Sequence, residues 1–300
     1  MTLLFRLLAR VPLTWMCRVG VLLGWVVWWC SPAYRRRFRA NAEAAGFTPD
    51  QYRPAIGAAG AALAELPWLW LRAPGESVLG RVVRWEGVER YEAALAAGRG
   101  VITMTPHLGS WEMMGQAMGE RFLPQHGPLT ALFRPARKPW LQALVAGSRD
   151  RPGLRTLPTT LAGVRGLIRV LRAGGYTGVL PDQVPPQGQG VWAPFFGRPA
   201  YTMTLMSRLS QQTGAAVFFG ACERLPGGAG YVIRFEPVEG TALSDPQASP
   251  EAAARAMNER IEAWIRRMPG QYLWGYARYK QPRVEAPAAP GADATSGASS

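Results

Sequence analysis

With 300 residues, 48% of them apolar and 18% charged, the chain can bury the core of one large globular domain or of two small ones. Its three cysteines, at 17, 30 and 222, are odd in number, widely separated and lack metal-ligand spacing. That excludes a disulfide framework, points to a reducing compartment, and leaves none of them a candidate nucleophile. Charge is one-sided: 34 Lys+Arg against 20 Asp+Glu leaves +14, and Lys occurs only at 138 and 280. A GC-rich genome accounts for Arg over Lys but not for the excess over acids. Such a field suits nucleic acid, anionic lipid or an acidic protein.

The first forty residues stand apart. Val19 to Cys30 is an apolar and Gly run ending in a Trp cluster, and extending it back to Val11 gives a marginal span containing Arg18. No small-residue cleavage junction follows. The basic group Arg35, Arg36, Arg37 and Arg39 comes next, which places it and the following domain on the cytoplasmic side. Residues 1–40 therefore read as a membrane anchor with a basic flank, either spanning the bilayer or lying in its interface. From there the pattern alternates. Val101 to Thr105 is a β-branched run, Leu161 to Leu171 is apolar at helical spacing, and Thr177 to Leu180, Ala215 to Gly220 and Gly230 to Phe235 read as strands. Ser249-Pro250 opens a helix whose apolar face runs through Met257, Ile261, Trp264, Ile265 and Met268. The expectation is an α/β single domain over 41–283, with a central mixed sheet flanked by helices and preceded by the N-terminal hydrophobic membrane-anchoring helix. Residues 284–300, rich in Ala, Pro, Gly and Ser, read as a disordered tail.

Only two His occur, at 107 and 126. His126, among Pro and Gly, reads as a loop residue. His107 follows the 101–105 strand through Pro106, which sets it at a strand's carboxyl end, where sites of open α/β sheets lie. Glu112 comes five positions on. In an unbroken helix the two would be about 140° apart, so contact between them requires a turn, which Gly109-Ser110 can supply. Ser110 would then cap a helix with Glu112 in its first turn. A neutral imidazole can take a proton from an alcohol while a carboxylate on its other nitrogen fixes the tautomer. Spacing alone favours a structural His beside a solvated Glu over a catalytic pair. No Gly-x-Ser-x-Gly elbow, phosphate loop or dinucleotide fingerprint competes.

The segment Thr105-Pro-His-Leu-Gly-Ser-Trp-Glu112 resembles the His-x4-acid block of the lipid A late acyltransferases, the lauroyl/myristoyl type, itself related to the glycerolipid acyltransferases. Five further blocks follow in family order: Leu132-Phe-Arg-Pro135, Arg149-Asp-Arg-Pro-Gly153, Pro181-Asp-Gln183, Ala193-Pro-Phe-Phe-Gly197 with Thr202, and Pro269-Gly-Gln-Tyr-Leu-Trp-Gly-Tyr-Ala-Arg-Tyr-Lys280. Gly270 and Tyr276 depart from the usual Glu and His. The resemblance spans residues 1 to about 282. It implies fatty acyl transfer from acyl carrier protein to a hydroxyl of a lipid A precursor at the cytoplasmic face of the inner membrane, without metal or cofactor. It makes His107 the general base, with Glu112 orienting it. Arg134 becomes a candidate to bind phosphate near the site or to support the dyad, Arg149 and Arg151 candidate phosphate or carrier contacts, and Asp182 a residue positioning site arginines. Phe195-Phe196 could line an acyl groove, though core packing fits them better, and Gln271–Lys280 reads as a buried strand. Two other readings stand beside this one. The acceptor could be another membrane lipid (a lysophospholipid, an amino-acid lipid or a glycosylated polyol), or the chain could be a basic membrane- or nucleic-acid-binding module, against which the absence of a nucleic-acid motif counts.

Overall fold

The computed structural model describes residues 2–73, 75–133, 151 and 153–284. Six helices fill the N-terminal quarter: α1 (Thr2–Leu8), α2 (Leu13–Cys30), α3 (Pro32–Ala44), α4 (Pro49–Tyr52), α5 (Pro54–Ala64) and α6 (Leu66–Leu71). Pro32, Pro49 and Pro54 each open a helix, where the missing N–H is no loss and φ is already set.

Helix α2 is the apolar N-terminal segment, with a mean hydropathy of 1.4 over its 18 residues. It lies against α5 through small residues. A Cβ on Gly20 would stand 2.6 Å from Ala64 Cβ, and one on Gly60 would collide with the carbonyl of Gly20, so the backbones meet only because these side chains are missing. The opposite face of α2 is bare: Trp15, Val19, Leu22, Leu23, Val26 and Trp29 are exposed, Trp29 to 69%.

The remainder alternates strand and helix: β1 (Val82–Glu86), α7 (Val88–Ala96), β2 (Val101–Met104), α8 (Trp111–His126), β3 (Leu129–Phe133), β4 (Leu154–Pro158), α9 (Leu161–Arg172), β5 (Tyr176–Val179), β6 (Gly190–Phe195), β7 (Arg198–Met203), α10 (Leu205–Thr213), β8 (Ala216–Arg224), β9 (Tyr231–Pro237) and α11 (Pro250–Arg267). Seven strands form one mixed sheet in the order β1-β9-β8-β2-β5-β3-β4, while β6 and β7 pair as a separate hairpin. β8, β2, β5, β3 and β4 run parallel, and β9 returns antiparallel beside β8. Helices cover both faces, as the alternation predicts. β2 is buried at all four positions because its alternate side chains enter cores on opposite faces. Ile102 and Met104 pack in the cluster with Leu167, Phe219 and Trp264, and Val101 packs in the one with Tyr91, Met113 and Phe122. Ser249 caps α11, its Oγ accepting the N–H of Ala252 at 3.1 Å.

Two local expectations are corrected. His126 closes α8 instead of lying in a loop; Pro124, inside that helix, does not end it. Gln271–Lys280 is a series of turns with a single bridge, Tyr272 to Leu108, and not a strand. Its carbonyls find side chains in place of a neighbouring strand: Asn41 Nδ2 donates to Trp274 O (2.8 Å) and Tyr276 O (2.9 Å), and Arg37 Nε to Gly275 O (2.6 Å).

Candidate functional site

The site follows from strand register. β2 and β5 are parallel neighbours, with Met104 opposite Val179, so both chains leave the sheet at the same edge. His107 lies three residues beyond Met104 and Asp182 three beyond Val179, and these equal offsets bring them together. His107 Nδ1 is 2.7 Å from Asp182 Oδ1, and the His107 backbone N–H donates to Asp182 Oδ2 at 2.9 Å. A carboxylate in that position accepts a hydrogen bond from Nδ1–H, which keeps the proton on Nδ1 and leaves Nε2 with its lone pair. Gln183 Nε2 sits 3.0 Å from that nitrogen, occupying the direction a substrate hydroxyl would use. The Trp111 ring stands 4.8 Å from the imidazole, centroid to centroid.

The turn carrying His107 is fixed at every residue. His107 O accepts from Leu273 N (3.1 Å), Gly109 N donates to Gln271 O (3.0 Å) and Ser110 N to Cys222 O (2.8 Å). Gly109 has φ +68°, and a Cβ there would strike the Cys222 carbonyl, so this turn demands glycine. The closing segment 271–278 therefore acts as a clamp on the His turn.

Asp182 is buried, and burial by itself would push its carboxyl up. The His107 charge, the two hydrogen bonds from His107 and the charge of Arg278 outweigh that, and hold it below the usual carboxylate range. Arg278 is itself buried, donating to Tyr201 O and Thr202 Oγ1, both at 2.7 Å. Sequence reasoning passed over Arg278 and gave Asp182 a different partner. The available signal was the pair of strand ends, each followed at the same offset by a polar residue.

Glu112 does lie in the first turn of α8, after the Gly109 turn. Its Oε1, however, accepts from Trp70 Nε1 at 2.8 Å, and the carboxylate that orients His107 is Asp182. Pinning of residues 107–110 starts α8 at Trp111 and directs Glu112 towards α6. Ser110 precedes the helix but does not cap it; its Oγ donates to buried Glu65 at 2.6 Å. Arg151 Nη2 is taken up by the carbonyls of Arg72 (2.6 Å) and Trp70 (3.3 Å), at the end of α6. Arg134 and Arg149 lie outside the described residues. Phe195 and Phe196 are buried core, edge-on to each other at 4.9 Å.

Beside the His–Asp pair opens a cavity of about 860 Å³, the size of a lipid-chain or drug-sized site. Thr105, Trp111, Glu112 and Gln183 line it near His107, and Leu161, Val164, Met203 and Leu205 are among its apolar walls. An imidazole with a buried carboxylate behind it can take up a proton from a group held in the cavity beside it.

Residues 1–281 match the family model described as bacterial lipid A biosynthesis acyltransferase, and the chain belongs to that family. It is 31% identical over 189 residues to a lipid A biosynthesis acyltransferase of Haemophilus influenzae, covering 63% of this chain and 56% of that protein. A lipid A biosynthesis palmitoleoyltransferase of Escherichia coli is 30% identical over 231 residues, 74% of this chain and 68% of its own. A phosphatidylinositol mannoside acyltransferase of Mycobacterium tuberculosis is 27% identical over 180 residues, 59% and 55% of the two chains.

Proposed function

We propose that the protein transfers a fatty acyl group from acyl carrier protein to a hydroxyl of a lipid A precursor. The observation that carries this is His107, held by Asp182 with Nε2 directed at Gln183 beside an apolar cavity, in a chain of this family. Gln183 gives way to the acceptor hydroxyl. His107 Nε2 takes its proton as the oxygen attacks the thioester carbonyl, and Asp182 stabilises the imidazolium. Collapse of the tetrahedral adduct breaks the carbon–sulfur bond, and the leaving thiolate recovers the proton. Glu112, on the cavity wall, is assigned to contact with the bound acceptor. The net charge of +14 favours both an anionic glycolipid and an acidic carrier.

The exposed apolar face of α2 is assigned to the membrane, with the catalytic domain on the cytoplasmic side. The other side of α2 is committed to α5, and Cys17 reaches the buried Glu65 at 3.4 Å. A helix so embedded in its domain lies in the interface; spanning would carry α5 and the ion pair of Glu65 with Arg224 into hydrocarbon.

Membranes containing the His107→Ala protein, given acyl carrier protein thioester and acceptor, should transfer about 10²- to 10⁴-fold more slowly at equal expression. Near-normal turnover would overturn the assignment. The mannoside acyltransferase relative supports a second reading, a glycosylated polyol lipid as acceptor. Mass spectrometry of lipids from cells with and without the protein separates the two, since only one lipid class gains the mass of an acyl chain.

A further inference from the structure

The positive charge of this chain is unevenly spread. Between residues 151 and 222 the only acid is Asp182, which is buried and held by His107. The same stretch carries Arg155 on β4, Arg165, Arg169 and Arg172 on α9, and Arg208 on α10, all exposed. Spacings of four and three residues align the α9 arginines along one side of the helix. Its other side, with Gly163, Gly166, Leu167 and Leu171, is buried. A Cβ on Gly163 would strike the Pro158 carbonyl at the end of β4, so α9 is pressed onto the sheet with its cationic side outward. Elsewhere surface arginines are answered by acids: Arg121 by Glu92 (2.8 Å), Arg234 by Glu86 (2.7 Å) and Arg39 by Glu43 (3.2 Å). None of the five on this face forms an ion pair among the described residues. Like charges four residues apart destabilise a helix slightly, and an anionic partner relieves that.

Arg155 and Arg208 also line the cavity, together with the exposed Thr159, Thr160 and Leu161. The cavity therefore opens to solvent on this face. Leu161, the first residue of α9 and one turn before Arg165, is 78% exposed. An apolar side chain set among exposed arginines is the composition of a protein-docking surface, with an apolar centre and a polar rim. A membrane contact is built differently in this chain. The bare face of α2 carries Trp15, Leu22 and Trp29, whereas α9 and α10 contain no aromatic residue.

We infer that the face formed by α9, α10 and β4 docks the acidic protein that carries the acyl group, its carboxylates meeting Arg165, Arg169 and Arg208 around an apolar contact at Leu161. Charge complementarity selects this partner and steers its approach, so the arginines govern association more than the chemical step. The donor and the membrane are thereby given separate elements. α9 packs on β3, β4, β5 and α10, while α2 packs on α3, α5 and the turn between β8 and β9. The carrier arrives from water at the cavity mouth, and the lipid acceptor comes from the α2 side. This assignment rests on the acyl-transfer reading above.

The test compares two donors, the fatty acyl thioester of acyl carrier protein and that of N-acetylcysteamine, using the full-length protein in membranes. Equilibrium binding of acyl carrier protein to the detergent-solubilised protein gives a readout independent of turnover. The double variant Arg165→Glu/Arg169→Glu should raise KM for the carrier thioester about tenfold or more, with kcat and use of the small thioester within about twofold. Carrier binding should weaken in parallel and fall with added salt, and Arg165→Lys/Arg169→Lys should retain most of it. An unchanged carrier KM in the charge-reversed protein, or an equal loss with both thioesters, overturns the docking assignment while leaving acyl transfer intact. Retained carrier binding alongside lost binding to phosphatidylglycerol vesicles also overturns it, and makes the face a membrane contact. Carrier binding that the charge reversal abolishes, in a wild-type protein that transfers no acyl group, keeps the surface and sinks the transfer reading.

Discussion

Two buried carboxylates, Glu65 and Asp182, each lie under the influence of an arginine, Arg224 and Arg278, yet their networks end differently. Glu65 pairs with Arg224 and also accepts from Ser110 Oγ at 2.6 Å, Tyr231 OH at 3.1 Å and Cys17 Sγ at 3.4 Å. Every line from Glu65 returns to the fold, joining α2, the His turn and the sheet. Burial pushes the Cys17 thiol up to about 12, with the Glu65 charge adding to the effect, so it stays protonated and inert. The line from Asp182 passes through His107 Nδ1 to a basic nitrogen beside a cavity. A buried acid becomes a candidate for chemistry when its network ends on a titratable group that a ligand can reach. Burial and an ion pair alone do not make that distinction.

The comparison can be broken by exchanging the consequences of mutation. Asp182→Asn should lower acyl transfer by about 10²- to 10⁴-fold, because the imidazole loses its tautomer and its counter-charge, with the protein still folded by circular dichroism. Glu65→Ala should do the reverse. Stranding Arg224 costs about 3–5 kcal/mol in denaturant unfolding, while specific activity of the folded fraction stays within a few-fold. Ser110→Ala removes one charge-assisted bond to Glu65 and should cost about 1.5–3 kcal/mol by the same measurement. Trp70→Phe deletes the donor to Glu112 and should alter transfer by less than about tenfold if Glu112 serves the acceptor and not the base.

Acidity sharpens the same contrast. The Asp182 carboxyl is depressed in the folded state, so its stabilisation is complete above the unfolded value of about 3.9 and is lost as pH falls through the lower folded value. The stability gap between wild type and Asp182→Asn should therefore persist from neutrality to about pH 4 and close only below it, as Asp182 takes up its proton. A gap that closes near pH 6 would contradict the assignment.

Much of the fold was legible from pattern. β2, α9, β5, β8, β9 and α11 fall within a few residues of their predicted bounds, because apolar periodicity and the Ser249-Pro250 start encode local structure directly. His107 was legible too, as one of two histidines and the one after a strand. Its partner was not, because Asp182 reaches His107 through parallel strand register, and register is a long-range property that spacing of five residues cannot report. The closing block misled for a related reason. Buried aromatics at 272 and 274 look like a strand when the side chains of Asn41 and Arg37, more than 230 positions away, are out of view.

The most direct test is a double-mutant cycle on acyl transfer with His107→Ala, Asp182→Ala and the pair. If Asp182 works only through His107, the double mutant should be no slower than the His107→Ala protein. Multiplying losses in the double mutant, or a non-additive pairing of His107 with Glu112 in its place, would contradict the account.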